Sequence, residues 1–353
     1  MAYPALAAGR RAESVRATNR FTECDGYVPE AGTALDPCCR EWPVSVTALE
    51  SAAECPFRYF LERGLELDAI DQHERDTDQW LDPLTRGSLL HELYAVLLRR
   101  WRAGDRPPNL SDDLDWLVQE GRKALDRVAV EMPPASVEVR DRETADFLED
   151  VALFVRAECD REPAPETVGV EVAFGRWSDG APEPLATPEP LAIELGHGLT
   201  LKVSGRIDRI DRIGPNSFEV VDYKTGGYWP ADWKGVFAGG RRLQHAIYGL
   251  AATQLLRCKY DGATVQRGVY YFSSAKGGGH RCVIARPSRA DVEAVLNDLR
   301  RVIAKGLFTH TPDENDCKWC DFGAACRPNA VERAAVKLGD PVLAPYVELT
   351  HHD

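Results

Sequence analysis

The chain has 353 residues, enough for one large or two ordinary domains, and its 44% apolar content supports a sizeable core. No apolar run reaches the roughly eighteen residues of a membrane-spanning helix, so no membrane partner is expected. The net charge of −13 argues against nucleic-acid binding through bulk charge, leaving only local basic clusters for that role. The first twenty residues are Ala/Arg-rich and lack the apolar core of a signal peptide, which points to the cytoplasm.

Residues 1–44 look irregular, with Gly, Pro and the adjacent Cys38 and Cys39. Ser45-Val46-Thr47-Ala48-Leu49-Glu50 opens a helix with Ser45 or Thr47 as its N-cap, and that helix runs into Cys55-Pro56-Phe57-Arg58-Tyr59-Phe60-Leu61. Residues 86–97 form an amphipathic helix with Leu89, Leu90, Leu93, Val96 and Leu97 as its apolar stripe. His91 sits beside that stripe, either as a hydrogen-bonded core histidine or as a ligand. Residues 103–165 read as helical with polar breaks, strongest over 113–130 and 142–160, and Pro163 and Pro165 end them. Arginine clusters at 99–102, 206–212, 241–242 and 300–301 are either solvated faces or phosphate contacts.

Residues 168–174 read as a strand carrying Glu171, followed by a Pro/Gly-rich loop over 177–190. Alternation from Leu199 to Ile213 marks a longer strand. Gly214-Pro215-Asn216-Ser217 forms a turn, and a second strand ends in Asp222-Tyr223-Lys224. Asp222 and Lys224 are two apart and project together, with Asp208 able to sit across the hairpin from them. Such a group can hold a divalent metal and steady an attacking water, although an Asp-x-Lys pair is also common on solvated edges. The loop over 226–234 carries Tyr228, Trp229 and Trp233, which either stack bases or anchor the loop. Residues 243–252 form a helix on which Gln244 and Tyr248 share a face. A strand over 265–272 and a helix over 291–305 follow.

Cys317, Cys320 and Cys326 lie close together near the end of the chain. Ten cysteines in a cytosolic protein point to metal or redox use rather than disulfides. Three local thiols leave one position open in a four-cysteine site, which Cys55 can fill. The spacing alone suits zinc or an iron–sulfur cluster.

In order, these motifs resemble the PD-(D/E)XK nucleases of the RecB and AddB type: the segment from Ser45 to Leu61, Gly87-Ser88-Leu89-Leu90-His91, Gly205-Arg206-Ile207-Asp208, Asp222-Tyr223-Lys224-Thr225, Gln244 with Tyr248, and the cysteine triplet. The resemblance covers about 45–328. It implies an α/β, restriction-endonuclease-like mixed sheet flanked by helices, with a helical insertion at about 103–165 and a C-terminal staple. It makes 1–44 a connector and 329–353 a tail of unassigned role. It implies Mg²⁺ or Mn²⁺ held by Asp208, Asp222, the Tyr223 carbonyl, His91 and Glu171. Lys224, Gln244 and Tyr248 join Asp208 and Asp222 as catalytic residues. A [4Fe–4S] cluster on Cys55, Cys317, Cys320 and Cys326 is implied as well, as are single-stranded DNA ends as substrate and a helicase partner. A CRISPR-associated nuclease of the same superfamily and a non-catalytic DNA-binding scaffold are the alternatives.

Overall fold

The computed structural model describes residues 3–68, 77–104, 108–176, 183–318, 320–326 and 328–353. The first part of the Pro/Gly-rich loop, Trp319 and Arg327 therefore lie outside the described residues. The N-terminal region is not irregular. It forms α1 (Pro4–Arg16) and α2 (Pro29–Leu35), each with a proline in its first turn. There a missing N–H costs no hydrogen bond, so the prolines start these helices instead of breaking them. Phe21 and Leu35 are buried in the main core. Asp36 is held by Arg300. Gly32 passes so close to Gly306 that a Cβ would lie 2.2 Å from the Gly306 nitrogen.

The two-residue strand β1 (Val44–Ser45) leads into α3 (Val46–Glu54). Ser45 caps α3, its Oγ accepting from the Ala48 amide at 3.2 Å. After Cys55 comes the single turn α4 (Pro56–Tyr59). The histidine helix is α5 (Pro83–Ala103), started by Asp82, whose Oδ1 accepts from the Leu84 and Thr85 amides. Its apolar stripe differs from the sequence expectation at one place: Val96 faces solvent, while Leu98 is buried. Two long helices follow, α6 (Leu110–Glu131) and α7 (Val137–Cys159), capped by Asn109 and Ser136.

The strands are β2 (Glu166–Phe174), β3 (Leu191–Glu194), β4 (Thr200–Arg212) and β5 (Ser217–Lys224). Then come α8 (Gln244–Leu256), β6 (Thr264–Phe272), β7 (His280–Ala285) and α9 (Arg289–Ala304). The chain closes with α10 (Ala330–Lys337) and α11 (Ala344–Thr350). Among the described residues the strands form one mixed sheet of seven. β4 is its centre, antiparallel to β2, β3 and β5 and parallel to β1. β5 pairs parallel to β6, with α8 as the crossover that a parallel pair requires, and β7 closes the edge antiparallel.

The two faces of the sheet bury different layers. Residues of α3, α8, α9 and α11 pack with Ile207, Ile210, Phe218 and Val220. On the other face, residues of α5, α6 and α7 pack with Val221, Tyr223, Val269 and Tyr271. The helical insertion is therefore one of the layers of the core. Residues 329–353 are not a loose tail either, since Leu343, Tyr346 and Leu349 are fully buried in the main core. The apolar residues of α11 recur at helical spacing, so a short amphipathic segment completes the layer beside α9.

Candidate active site

The hairpin register builds the site. The β4–β5 ladder ends at the pair Arg209–Val221, so Asp208 and Asp222 are the residues that adjoin its last pair. On the other side of β4, Glu171 falls between the pairs Val170–Arg209 and Val172–Ile207, so it stands opposite Asp208. Three carboxylates thus cross the sheet in one row. Glu171 has φ of 52°, a left-handed conformation that is rare for a non-glycine residue within a strand. Strain of that kind concentrates at functional sites.

α5 lays His91 over this row. Its Nδ1 is 3.6 Å from Asp208 Oδ2. Ligand atoms of His91, Glu171 and Asp208 all lie within 4.8 Å of one another, close enough to share one cation. The second Asp208 interaction is with the backbone: Oδ2 accepts from the Tyr223 amide at 2.9 Å. Lys224 Nζ lies 2.7 Å from Asp222 Oδ2 and donates to Gln244 Oε1 at 2.9 Å. The Gln244 side chain also lies beside the Tyr248 hydroxyl. These groups line one cleft of about 820 Å³ between α5 and the sheet, together with Arg99, Arg176 and Arg206.

The electrostatics are those of a crowded acidic site. Burial alone would lower the basicity of His91, but Asp208, with Glu171 and Asp222, outweighs it and holds the imidazole up to about 9. Burial, then the charge of Asp208, push Glu171 up to about 7. Arg206 pairs with Glu171 at 2.9 Å and partly offsets this. Against its burial, His91 pulls Asp208 below the ordinary carboxylate range. Asp222 is raised by burial and by Asp208 despite Lys224. Like charges packed this closely are relieved by a cation. Carboxylate and carbonyl oxygens are what a hard divalent metal takes, so the residues present fit Mg²⁺ or Mn²⁺, with His91 as a single nitrogen donor.

Gly205 has a physical role in this arrangement. A Cβ there would lie 2.8 Å from Tyr248 Cε1 and 3.0 Å from Phe174 Cζ, so only glycine lets the tyrosine ring close on β4. Glu50 was not singled out by sequence reasoning. From α3, its Oε1 accepts from the Leu243 and Gln244 amides at 2.6 and 3.0 Å. Burial pushes its carboxyl up to about 7. Its partners are backbone amides 193 and 194 positions away, so no local pattern announces it. Tyr228 and Trp233 pack against Phe272, which makes them loop anchors, whereas Trp229 is exposed.

A second cleft, of about 470 Å³, is lined by Cys55, Cys317, Cys320 and Cys326, with His310, Phe57 and Phe322. Cys55 caps the C-terminus of α3 and is buried. Burial pushes its thiol up to about 11. Burial raises the Cys55, Cys317 and Cys326 thiols and the nearby Cys320 adds to each, so the four thiols share one neighbourhood. All four are free thiols.

A mixed sheet that carries an aspartate pair, a lysine two residues on and a histidine from the adjoining helix defines a nuclease fold. The chain belongs to the PD-(D/E)XK nuclease superfamily, whose profile matches residues 43–327. It is similar to one subunit of the ATP-dependent helicase/deoxyribonuclease of Acetivibrio thermocellus, at 28% identity over 286 residues, covering 75% of this chain and 22% of that protein. The same subunit from Caldanaerobacter subterraneus subsp. tengcongensis is 29% identical over 246 residues, covering 66% of this chain and 19% of that protein. That of Anoxybacillus flavithermus is 30% identical over 196 residues, covering 51% and 15%. The chain therefore spans about a fifth or less of the length of these relatives.

Proposed function

We propose that the chain is a metal-dependent deoxyribonuclease that cuts phosphodiester bonds at single-stranded DNA ends in repair or recombination, in the cytoplasm and beside a helicase partner. The observation that carries this reading is the meeting of His91, Glu171 and Asp208 ligand atoms within 4.8 Å, next to the Asp222–Lys224 pair. Asp208, Asp222, the Tyr223 carbonyl, His91 and Glu171 would hold Mg²⁺ or Mn²⁺. When bound, that ion supplies positive charge against the scissile phosphate and eases deprotonation of a water. Lys224 orients the attacking water and offsets negative charge that builds on the phosphoryl oxygens. Gln244 fixes the Lys224 ammonium, and Tyr248 backs Gln244. Arg176 and Arg206 face the same cleft and suit phosphate contacts that do not depend on sequence.

The four cysteines hold a [4Fe–4S] cluster in this reading, and it ties α3 to the end of the nuclease domain. That the four cysteines line one cleft supports a four-thiolate site, and the resemblance to the AddB type favours iron over zinc. Anaerobic purification with an iron count and a visible spectrum tests the cluster. Incubation of end-labelled single-stranded DNA with Mn²⁺, with and without EDTA, tests the activity. A brown protein near four irons whose cutting stops with EDTA is the expected result. A colourless zinc protein would overturn the cluster, and cutting that survives EDTA would overturn the metal site.

A further inference from the structure

We propose that Glu50 is a positioning residue for Lys224, acting through the first turn of α8. This rests on the nuclease reading above. α8 begins without a side-chain cap of its own, because Leu243 stands at the N-cap position. The first amides of a helix need acceptors, and a carboxylate there also meets the positive end of the helix dipole. Glu50 supplies both from another element, receiving the Leu243 and Gln244 amides on one oxygen. Its mount is rigid, since Val46, Leu49, Ala52 and Ala53 bury the rest of α3 in the main core.

The fixed point is passed on by Gln244. Its backbone amide is held by Glu50, while its side-chain oxygen accepts from Lys224 Nζ. Its side chain also meets the Tyr248 hydroxyl one turn along α8. A rotation of this first turn would carry the Gln244 oxygen with it and release the ammonium. Displacements of the order of 1 Å in a catalytic group cost roughly a hundredfold in rate. Glu50 does not line the catalytic cleft, and its part is to decide where Lys224 stands.

The test uses the full chain with Glu50→Ala, Glu50→Gln, Gln244→Ala and the Glu50→Ala/Gln244→Ala double variant. Cutting of end-labelled single-stranded DNA with Mn²⁺ is read as kcat and KM, beside amide exchange and thermal unfolding. Glu50→Ala is expected to lose roughly 10- to 100-fold in kcat with KM nearly unchanged. Glu50→Gln keeps an accepting oxygen and should recover most of the rate. The double variant should be no slower than Gln244→Ala alone, since both changes cut one chain of contacts. Leu243 and Gln244 amides should exchange faster in Glu50→Ala while the sheet amides do not. Three results would overturn the proposal: kcat near wild type in Glu50→Ala, equal damage in Glu50→Gln, or additive losses in the double variant. If the wild-type chain cuts nothing, the nuclease reading fails on its own. The exchange measurement then decides, because unchanged protection at Leu243 and Gln244 in Glu50→Ala overturns the positioning role as well.

Discussion

Asp222 and Lys224 stand two residues apart on β5, and strand alternation carries both to one side. Gln244 and Tyr248 stand four apart on α8, and helical pitch stacks them. These periods are why most of the candidate site could be read from the sequence. Glu171 was a candidate ligand by resemblance alone until the register set it opposite Asp208. Glu50 stayed hidden because its partners are main-chain amides remote in sequence. Two consequences belong at this scale. In Gly205→Ala, the new methyl group meets the Tyr248 and Phe174 rings, and overpacking of this kind costs about 1–3 kcal/mol. Urea unfolding should show that loss, and cutting should fall as Tyr248 is displaced. The second consequence concerns pH. Unfolded glutamate titrates near about 4.3, whereas Glu50 in the fold is raised to about 7. The fold therefore prefers its neutral form. Its contribution is full below the unfolded value, declines as pH rises through that window and is flat above it. Glu50→Gln removes this decline, so the melting temperature of the variant relative to wild type should rise from pH 4.5 to 7.5.

The helices that could be read from sequence are those with a clear apolar stripe: residues 86–97 fall within α5, which Asp82 starts earlier, and residues 291–305 nearly coincide with α9, which Ser288 caps. The short elements were not legible. β1 has two residues and β3 has four, too few for alternation to register. β7 is a polar edge strand in which only Ile284 is buried. The arginine clusters also read differently once folded. Arg209 is fully buried, paired with Asp211 at 2.7 Å and Glu158 at 2.8 Å. Arg161, Arg267 and Arg281 join it around Glu158, Asp211 and Glu219, between α7 and the sheet. Sequence shows a basic run there, but Arg209 turns inward to Asp211 on its own strand and to Glu158 on the distant α7. Arg209→Met would leave Asp211 and Glu158 short of a counter-charge in the interior. Loss of one partner from such a group costs about 3–5 kcal/mol, which a denaturation series would read directly.

Across the whole molecule, α2 and α11, which lie towards the two ends of the chain, are built into the core. α2 packs against the C-terminus of α9, α11 covers the main core, and Cys55 lines one cleft with the cysteines near the C-terminus. The order of the motifs made the nuclease core legible, but the packing of residues 1–44 and 329–353 depends on surfaces that only the folded sheet presents. The proposed cluster, joining residues 55 and 317, would close a very long loop. By the chain-entropy treatment of cross-links, such a tie is worth about 5 kcal/mol. Cys320→Ser should therefore lower both iron content and melting temperature; a variant that loses iron but melts like wild type would speak against the staple. The net charge of −13 is compatible with the proposed DNA substrate because cations are needed only along the cleft, where Arg99, Arg176, Arg206 and Lys224 lie. The nuclease reading turns on Asp222, and the decisive comparison is cutting of end-labelled single-stranded DNA by wild type and Asp222→Asn in Mg²⁺ or Mn²⁺. Asn preserves size and removes the charge. Metal-dependent cutting by wild type is expected, with none by a variant whose melting profile is unchanged. Cutting by Asp222→Asn at the wild-type rate would rule out this carboxylate as part of the catalytic centre.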